Sequence, residues 1–208
     1  MTETFIVGRN TTIYEYVVIL KADHEITIGN DCLIGQFAFI GPRKLVMKDK
    51  SQIAPGARLS GGGEVYMGYK SAIGFNANII CATDTPEAQF MVEAGEPSER
   101  RVIRGSITIE EGASVESGAI VCVSRRCKDI VIGKYTVIGA GAYIDRSVPA
   151  NRKIVPIQKY TVTTRFVCAI DRSRECAMED CSIHGVNWAK CGYLNRPKGL
   201  TPEQKKAI

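Results

Sequence analysis

From Val7 to Ile144 an aliphatic side chain keeps returning at the sixth position. The run Ile132, Ile138, Ile144 shows it most clearly, with Gly133 and Gly139 directly after the first two. A half-buried strand would repeat its apolar residue at every second position. A helix drifts off a period of six within two turns. A coil that turns a corner every six residues, points one aliphatic side chain inward and carries a permissive residue just after it does fit. Coils of this kind stack into a β-solenoid.

The register begins at Val7, Ile13 and Ile19 and, after three extra residues within 21–25, continues at Ile28, Ile34 and Ile40. It passes through Val46, Ile53 and Leu59 with a one-residue slip, and through Val65, Ile73 and Ile79 with a two-residue slip. It resumes at Ile109, Val115 and Val121, and again at Ile132, Ile138 and Ile144. Eighteen aliphatic positions in this register predict six coils with three faces each.

Two breaks interrupt the pattern. Cys81 to Ser106 is polar, holds Pro86, Gly95, Pro97 and the cations Arg100, Arg101 and Arg104, and is longer than an ordinary connection. It is expected to project sideways from the solenoid. The shorter break carries Arg125, Arg126 and Lys128. After Val148-Pro149 the repeat ends. The predicted organisation is a solenoid domain over 1–149, with a projecting loop at 81–106, and a C-terminal extension over 150–208 that covers the solenoid's end. Within that extension Thr201 and Pro202 are suited to start a short helix.

Composition narrows the picture only a little. The chain has 208 residues, a mass of 22.7 kDa and a formal charge of +5, with a sequence pI near 8.8. That excess favours an anionic small molecule and falls short of a nucleic-acid-binding protein. No long uncharged apolar run suggests a membrane span, and Met1-Thr2-Glu3-Thr4 lacks the blocks of a signal peptide. Eight Cys without an export signal read as reduced thiols of a cytoplasmic protein. Cys168, Cys176, Cys181 and Cys191, with His184 among them, lack the close Cys pairs of zinc modules, so no metal is expected.

The doubled run over 132–142, the closing Ser147-Val148-Pro149-Ala150-Asn151 and the loop opening Thr83-Asp84-Thr85-Pro86 resemble the hexapeptide-repeat acyltransferases of left-handed parallel β-helix fold. The likeness is to the maltose, galactoside and xenobiotic O-acetyltransferase branch, over roughly residues 7–160. The resemblance implies an all-β fold, a homotrimer with active sites between subunits, and acetyl-CoA as acyl donor. It maps small groove residues onto Ser117 and Ala140, and phosphate-facing cations onto Arg146 and Lys159, the latter beside Gln158. It also implies a catalytic His from the projecting loop, and that His is missing. Asp84 falls at its place by the repeat register, Thr85 by the following Pro; the histidines of this chain are His24 and His184.

Acyl transfer to a hydroxyl needs a base, because an alcohol is a weak nucleophile at neutral pH. A neutral amine attacks a thioester unaided and has only a proton to shed. A site without its imidazole is therefore better matched to an amine. A carboxylate such as Asp84 can hold an incoming ammonium and accept its proton, although Asp-Thr-Pro is also ordinary turn chemistry. The expectation is N-acetylation of an amino sugar, free or nucleotide-linked. Two alternatives stay open: O-acetylation with His24 of a neighbouring subunit as base, and a scaffold that binds without turnover. His24 otherwise reads as a solvated loop residue, and Cys81 beside the loop as small packing. Glu116 stands where relatives commonly have Gly, a departure from the resemblance in the coil that carries Ser117. A γ-type carbonic anhydrase, which needs three His on its metal, is excluded by the count of two.

Overall fold

The computed structural model describes residues 4–20, 22–84 and 101–156, and all their regular structure is β-strand. The chain winds repeatedly through three parallel sheets. The first holds the four-residue strands Thr4–Val7, Glu25–Ile28, Lys44–Met47, Glu64–Met67, Ser106–Ile109 and Asp129–Ile132. The second runs from Thr12–Ile13 to Lys153–Ile154 and the third from Val18–Ile19 to Tyr143–Ile144. In each sheet the spatial order follows the chain order, so every turn lies on the one before it. The result is a β-helix of about six turns, as the period of six requires.

Parallel pairing in register lines up equivalent side chains in columns. Ile28, Met47, Met67, Ile109 and Ile132 form one column. Ile34, Ile53, Ile73, Val115 and Ile138 form the second. Ile40, Leu59, Ile79, Val121 and Ile144 form the third. All are buried, and together they make up most of the continuous core. Each such side chain contributes about 1.5–3 kcal/mol through its removal from water.

These columns correct the sequence register in the third and fourth turns. Val46 faces outward, and Met47 takes the inward place; Val65 faces inward, but Met67 holds the column position. With the methionines counted, Met47 to Ile53 and Met67 to Ile73 are both six apart, and the slips disappear. The reason is alternation. A four-residue strand turns two side chains inward, and a flexible thioether fills the second place as well as Ile does.

The role expected of the glycines also changes. At the first two corners the backbone enters the left-handed region three residues after the inward position, not one. Asn10, Tyr16, Asp31, Phe37, Lys50, Gly56, Lys70, Asn76, Gly112, Gly118, Tyr135 and Gly141 all have φ between +54° and +71°. The glycine directly after the inward residue serves close stacking instead. At Gly29 a Cβ would lie 2.8 Å from the backbone nitrogen of Asp49 in the next turn.

Behind the first two corners a mostly small residue closes each turn. At the second corner the column is Val17, Ala38, Ala57, Ala77, Ala119 and Ala142. At the first it includes Ser51, Ser71 and Thr136. These buried hydroxyls are satisfied: Ser51 donates to the Lys48 carbonyl at 2.7 Å, Ser71 to that of Gly68 at 2.8 Å and Thr136 to that of Pro149 at 2.7 Å. All variation in length collects at the third corner, between the third sheet and the first. Both interruptions noted in the sequence leave the solenoid there.

Candidate active site

The longer interruption leaves and re-enters the third corner as two antiparallel strands, Ala82–Asp84 and Val102–Arg104. Ala82 pairs with Arg104, Thr83 with Ile103, and Asp84 with Val102. The base of this hairpin is fixed by burial and by glycine. Ile103 joins the core, and Cys81 is fully buried, its thiol donating to the Ser60 carbonyl at 3.1 Å. A Cβ on Gly63 would strike the carbonyls of Gly105 and Cys81, so the previous corner can lie against the hairpin base only with hydrogen at that position.

The hairpin separates two grooves. One, of about 400 Å³, has a floor of Gly41, Gly61, Gly62 and Ala82 and walls that include Leu20, Phe39 and Arg104. The other, of about 370 Å³, is lined by Cys122, Ser124, Arg125, Arg126, Tyr143 and Asp145, among others. Thr83 and Asp84 line both. Both volumes fall at the smaller end of the range for ligand sites. Asp84 is half-buried and is thus the carboxylate common to two neighbouring ligand-sized spaces.

The shorter interruption forms a tight turn above the second groove. The Ser124 amide donates to the Cys127 carbonyl at 2.9 Å, and the Cys127 amide to that of Ser124 at 3.2 Å. The Ser124 hydroxyl also bonds the Asp145 carbonyl of the next turn at 3.1 Å. Arg125 and Arg126 are held at the tip of this turn, both exposed. Across from them the Arg146 guanidinium bonds Asp145 at 2.8 Å and holds that carboxyl below the ordinary carboxylate range.

The other expected site residues are more scattered. Ser117 and Ala140 occupy the same place in successive turns, at the corner between the second and third sheets. Both are exposed, and the Ser117 carbonyl accepts from the Gly141 amide at 3.1 Å. The strand Ile120–Cys122 runs from that corner to the one that carries the hairpin, so a single chain keeps this pair a full edge of the triangle away from Asp84. Arg146 is exposed at the hairpin's corner, one turn beyond the Arg125–Arg126 turn, and does not line either groove.

His24 is half-buried at the same corner, its ring bonded to the Ala22 carbonyl. It lies three turns below the hairpin, or ~14 Å at the usual strand spacing, and lines neither groove. Lys159, Thr85, His184 and the four Cys of the extension lie outside the described residues. Burial pushes the Cys81 thiol up to about 11, which suits packing and not nucleophilic attack. Among the described residues no cluster of His, Cys, Asp and Glu could hold a metal ion, and no helix is long and apolar enough to cross a membrane.

Sequence reading missed Thr83, Tyr143, Asp145 and the glycine floor as parts of a site. A signal for the floor exists: Gly61-Gly62-Gly63 lies one turn before the long interruption, where the hairpin must be seated.

No protein-family model and no curated protein matches the chain. Solved structures do. A single-site variant of AntD, an N-acyltransferase from Bacillus cereus, in complex with dTDP-4-amino-4,6-dideoxyglucose and coenzyme A, is 21% identical, with 78% of this chain and 86% of that chain covered and a TM-score of 0.65. AntD in complex with dTDP and 3-hydroxybutyryl-CoA is 21% identical, with 78% and 85% covered and a TM-score of 0.63. At this identity the likeness is one of architecture: the chain shares the fold of an N-acyltransferase that binds both a nucleotide-linked amino sugar and coenzyme A.

Proposed function

We propose that the chain is an acyl-CoA-dependent N-acyltransferase of an amino sugar, with acetyl-CoA as donor. The observation that carries this reading is the position of Asp84, a carboxylate between two grooves that no imidazole of the described residues lines. An ammonium in one groove and a thioester in the other would meet at that residue. Asp84 takes a proton from the ammonium, and the freed nitrogen lone pair attacks the thioester carbonyl. The C–N bond forms as the C–S bond breaks, and the sulfur leaves as thiolate. The proton shed by nitrogen ends on sulfur, which gives the amide and the free thiol. The carboxylate is needed only to move protons, which is the lesser demand an amine makes.

In this reading Ser117 and Ala140 flank the pantetheine arm, and Arg146 and Lys159 face the phosphates of coenzyme A. Because one chain holds Ser117 and Asp84 at different corners, a complete site requires a second copy whose Ser117 corner faces this hairpin. A homotrimer with three such seams satisfies that need. AntD, of the same architecture, is an N-acyltransferase crystallised with a nucleotide-linked amino sugar and coenzyme A, which supports the amine acceptor.

The test is thiol release from acetyl-CoA with a panel of amino sugars, free and nucleotide-linked, each beside its hydroxy counterpart. Turnover of an amine well above that of its hydroxy counterpart is expected. Equal turnover of the two overturns the reading. Exchange of His24 for Ala should change kcat by no more than about threefold, because its ring lines neither groove. A loss on the order of 100-fold would make an imidazole the base and the acceptor a hydroxyl.

A further inference from the structure

Ser117 and Ala140 have a third member of their column beneath them. Phe75 stands two residues after the inward Ile73, as Ser117 stands after Val115 and Ala140 after Ile138, and these inward residues pair in successive turns. The bonds that stack the corner run through the same column. The Gly118 amide donates to the Phe75 carbonyl at 2.8 Å, and the Gly141 amide to that of Ser117 at 3.1 Å. Toward the N-terminal turns the corner therefore reads Ala140, Ser117, Phe75: two small side chains, then a ring that is 56% exposed. Ala77 closes the core behind this ring, so Phe75 is not part of the chain's own interior.

Phe75 and Asp84 also belong to the same turn. The strand Asn78–Ile80 lies between them, with Phe75 before it at the second corner and Asp84 beyond it in the hairpin at the third. A seam that runs along both corners keeps neighbouring coils parallel, and rotation about a parallel three-fold axis leaves heights unchanged. Phe75 of one copy thus comes to the level of Asp84 of the next. The direction of the donor follows from the same seam. Arg146 comes just after Ile144, the last inward residue of the third sheet, so the phosphates belong at the C-terminal turns. From there the pantetheine arm passes Ala140 and then Ser117, and the acyl group points at the turn of Phe75, about 4.8 Å further on.

We infer that Phe75 is a specificity residue for the donor: the ring of one copy closes the acyl end of its neighbour's site and restricts transfer to a short acyl group such as acetyl. The inference rests on the transferase reading for the seam and for the path of the donor, and adds to it the residue that sets acyl length.

The experiment compares acetyl-CoA with butyryl-CoA on the full chain, by thiol release with the amine panel and by titration calorimetry without acceptor. The unaltered protein is expected to prefer acetyl-CoA at least about 10-fold in kcat/KM and to bind it more tightly. Phe75→Ala should lower that preference at least about fivefold in both measurements, and Phe75→Leu by less. Thermal melting checks that each variant folds. Co-expression of F75A with a large excess of D84N then tests the seam. Most intact Asp84 residues now sit beside a neighbour with intact Phe75, so the preference should return at least halfway to that of the unaltered protein. A mixed assembly that keeps the F75A preference would put Phe75 in its own chain's site and overturn the inference. Turnover with the preference unchanged in F75A overturns it too, and leaves the transferase reading intact. Discrimination in binding that depends on Phe75, with no amine acylated, would sink the transferase reading and leave the acyl-length role standing. Absence of binding of either thioester to the unaltered protein overturns both.

Discussion

Asp84→Asn is expected to lower kcat on the amine acceptor by about 100-fold or more, with the KM for acetyl-CoA within about twofold. The amide keeps the size and shape of the carboxylate, so the hairpin pairing of Asp84 with Val102 is preserved. What is lost is the capacity to take a proton. A second signature separates chemistry from mere support. Above the acceptor's own ammonium pKa the amine arrives already neutral, and the Asn variant should then recover most of its rate relative to the unaltered enzyme. A structural defect would show no such recovery. A loss of less than about fivefold at neutral pH would remove Asp84 from the reaction.

The second large effect concerns the scaffold. Gly68→Ala and Gly118→Ala make the same chemical change at two kinds of glycine. At Gly68 the new methyl would lie 2.7 Å from the Glu110 carbonyl carbon of the next turn, and the ladder leaves that turn nowhere to go. The expected cost is about 1–3 kcal/mol, the range for overpacking a well-fitted interior. At Gly118, φ is +68° and no heavy atom lies within 4 Å of the added carbon, so only the backbone preference is lost, about 1 kcal/mol. Phe37 and Asn76 adopt the same conformation at equivalent corners. Thermal melting should show a drop of about 2–4 °C per kcal/mol for a chain of this size, larger for Gly68→Ala. Equal shifts would mean that the two glycines do the same job.

The fold was legible because one period of six runs through the sequence and nothing else explains it. Ile34, Ile53, Ile73 and Ile138 appear as the same side chain in the same place, and the second sheet stacks them in one column with Val115 between the last two. The register faltered at Met47 and Met67, where an unbranched thioether does not look like a β-solenoid residue yet fills the column as well as one. The site was legible only in part. Asp84 could be placed by counting, since the repeat fixes where the chain leaves the coil. That it borders two grooves could not, because Leu20, Phe39, Gly61 and Arg104 converge on one of them from several different turns. Tyr143 and Asp145 were hidden for the same reason. Stacking makes neighbours of residues some twenty or more positions apart, and a linear reading has no signal for them. Ser117 and Ala140 stand one turn apart at a different corner from Asp84.

The hydrogen-bonded ladder passes beneath the long excursion without a gap. Met67 pairs directly with Ile109, as if the forty-odd residues between them were an ordinary turn. The rung is closed by its own backbone, and the hairpin hangs from a structure already complete. Such a scaffold can exchange, shorten or extend its recognition segment while the girder behind it stays intact. New acceptors are then reached by editing one edge of the prism.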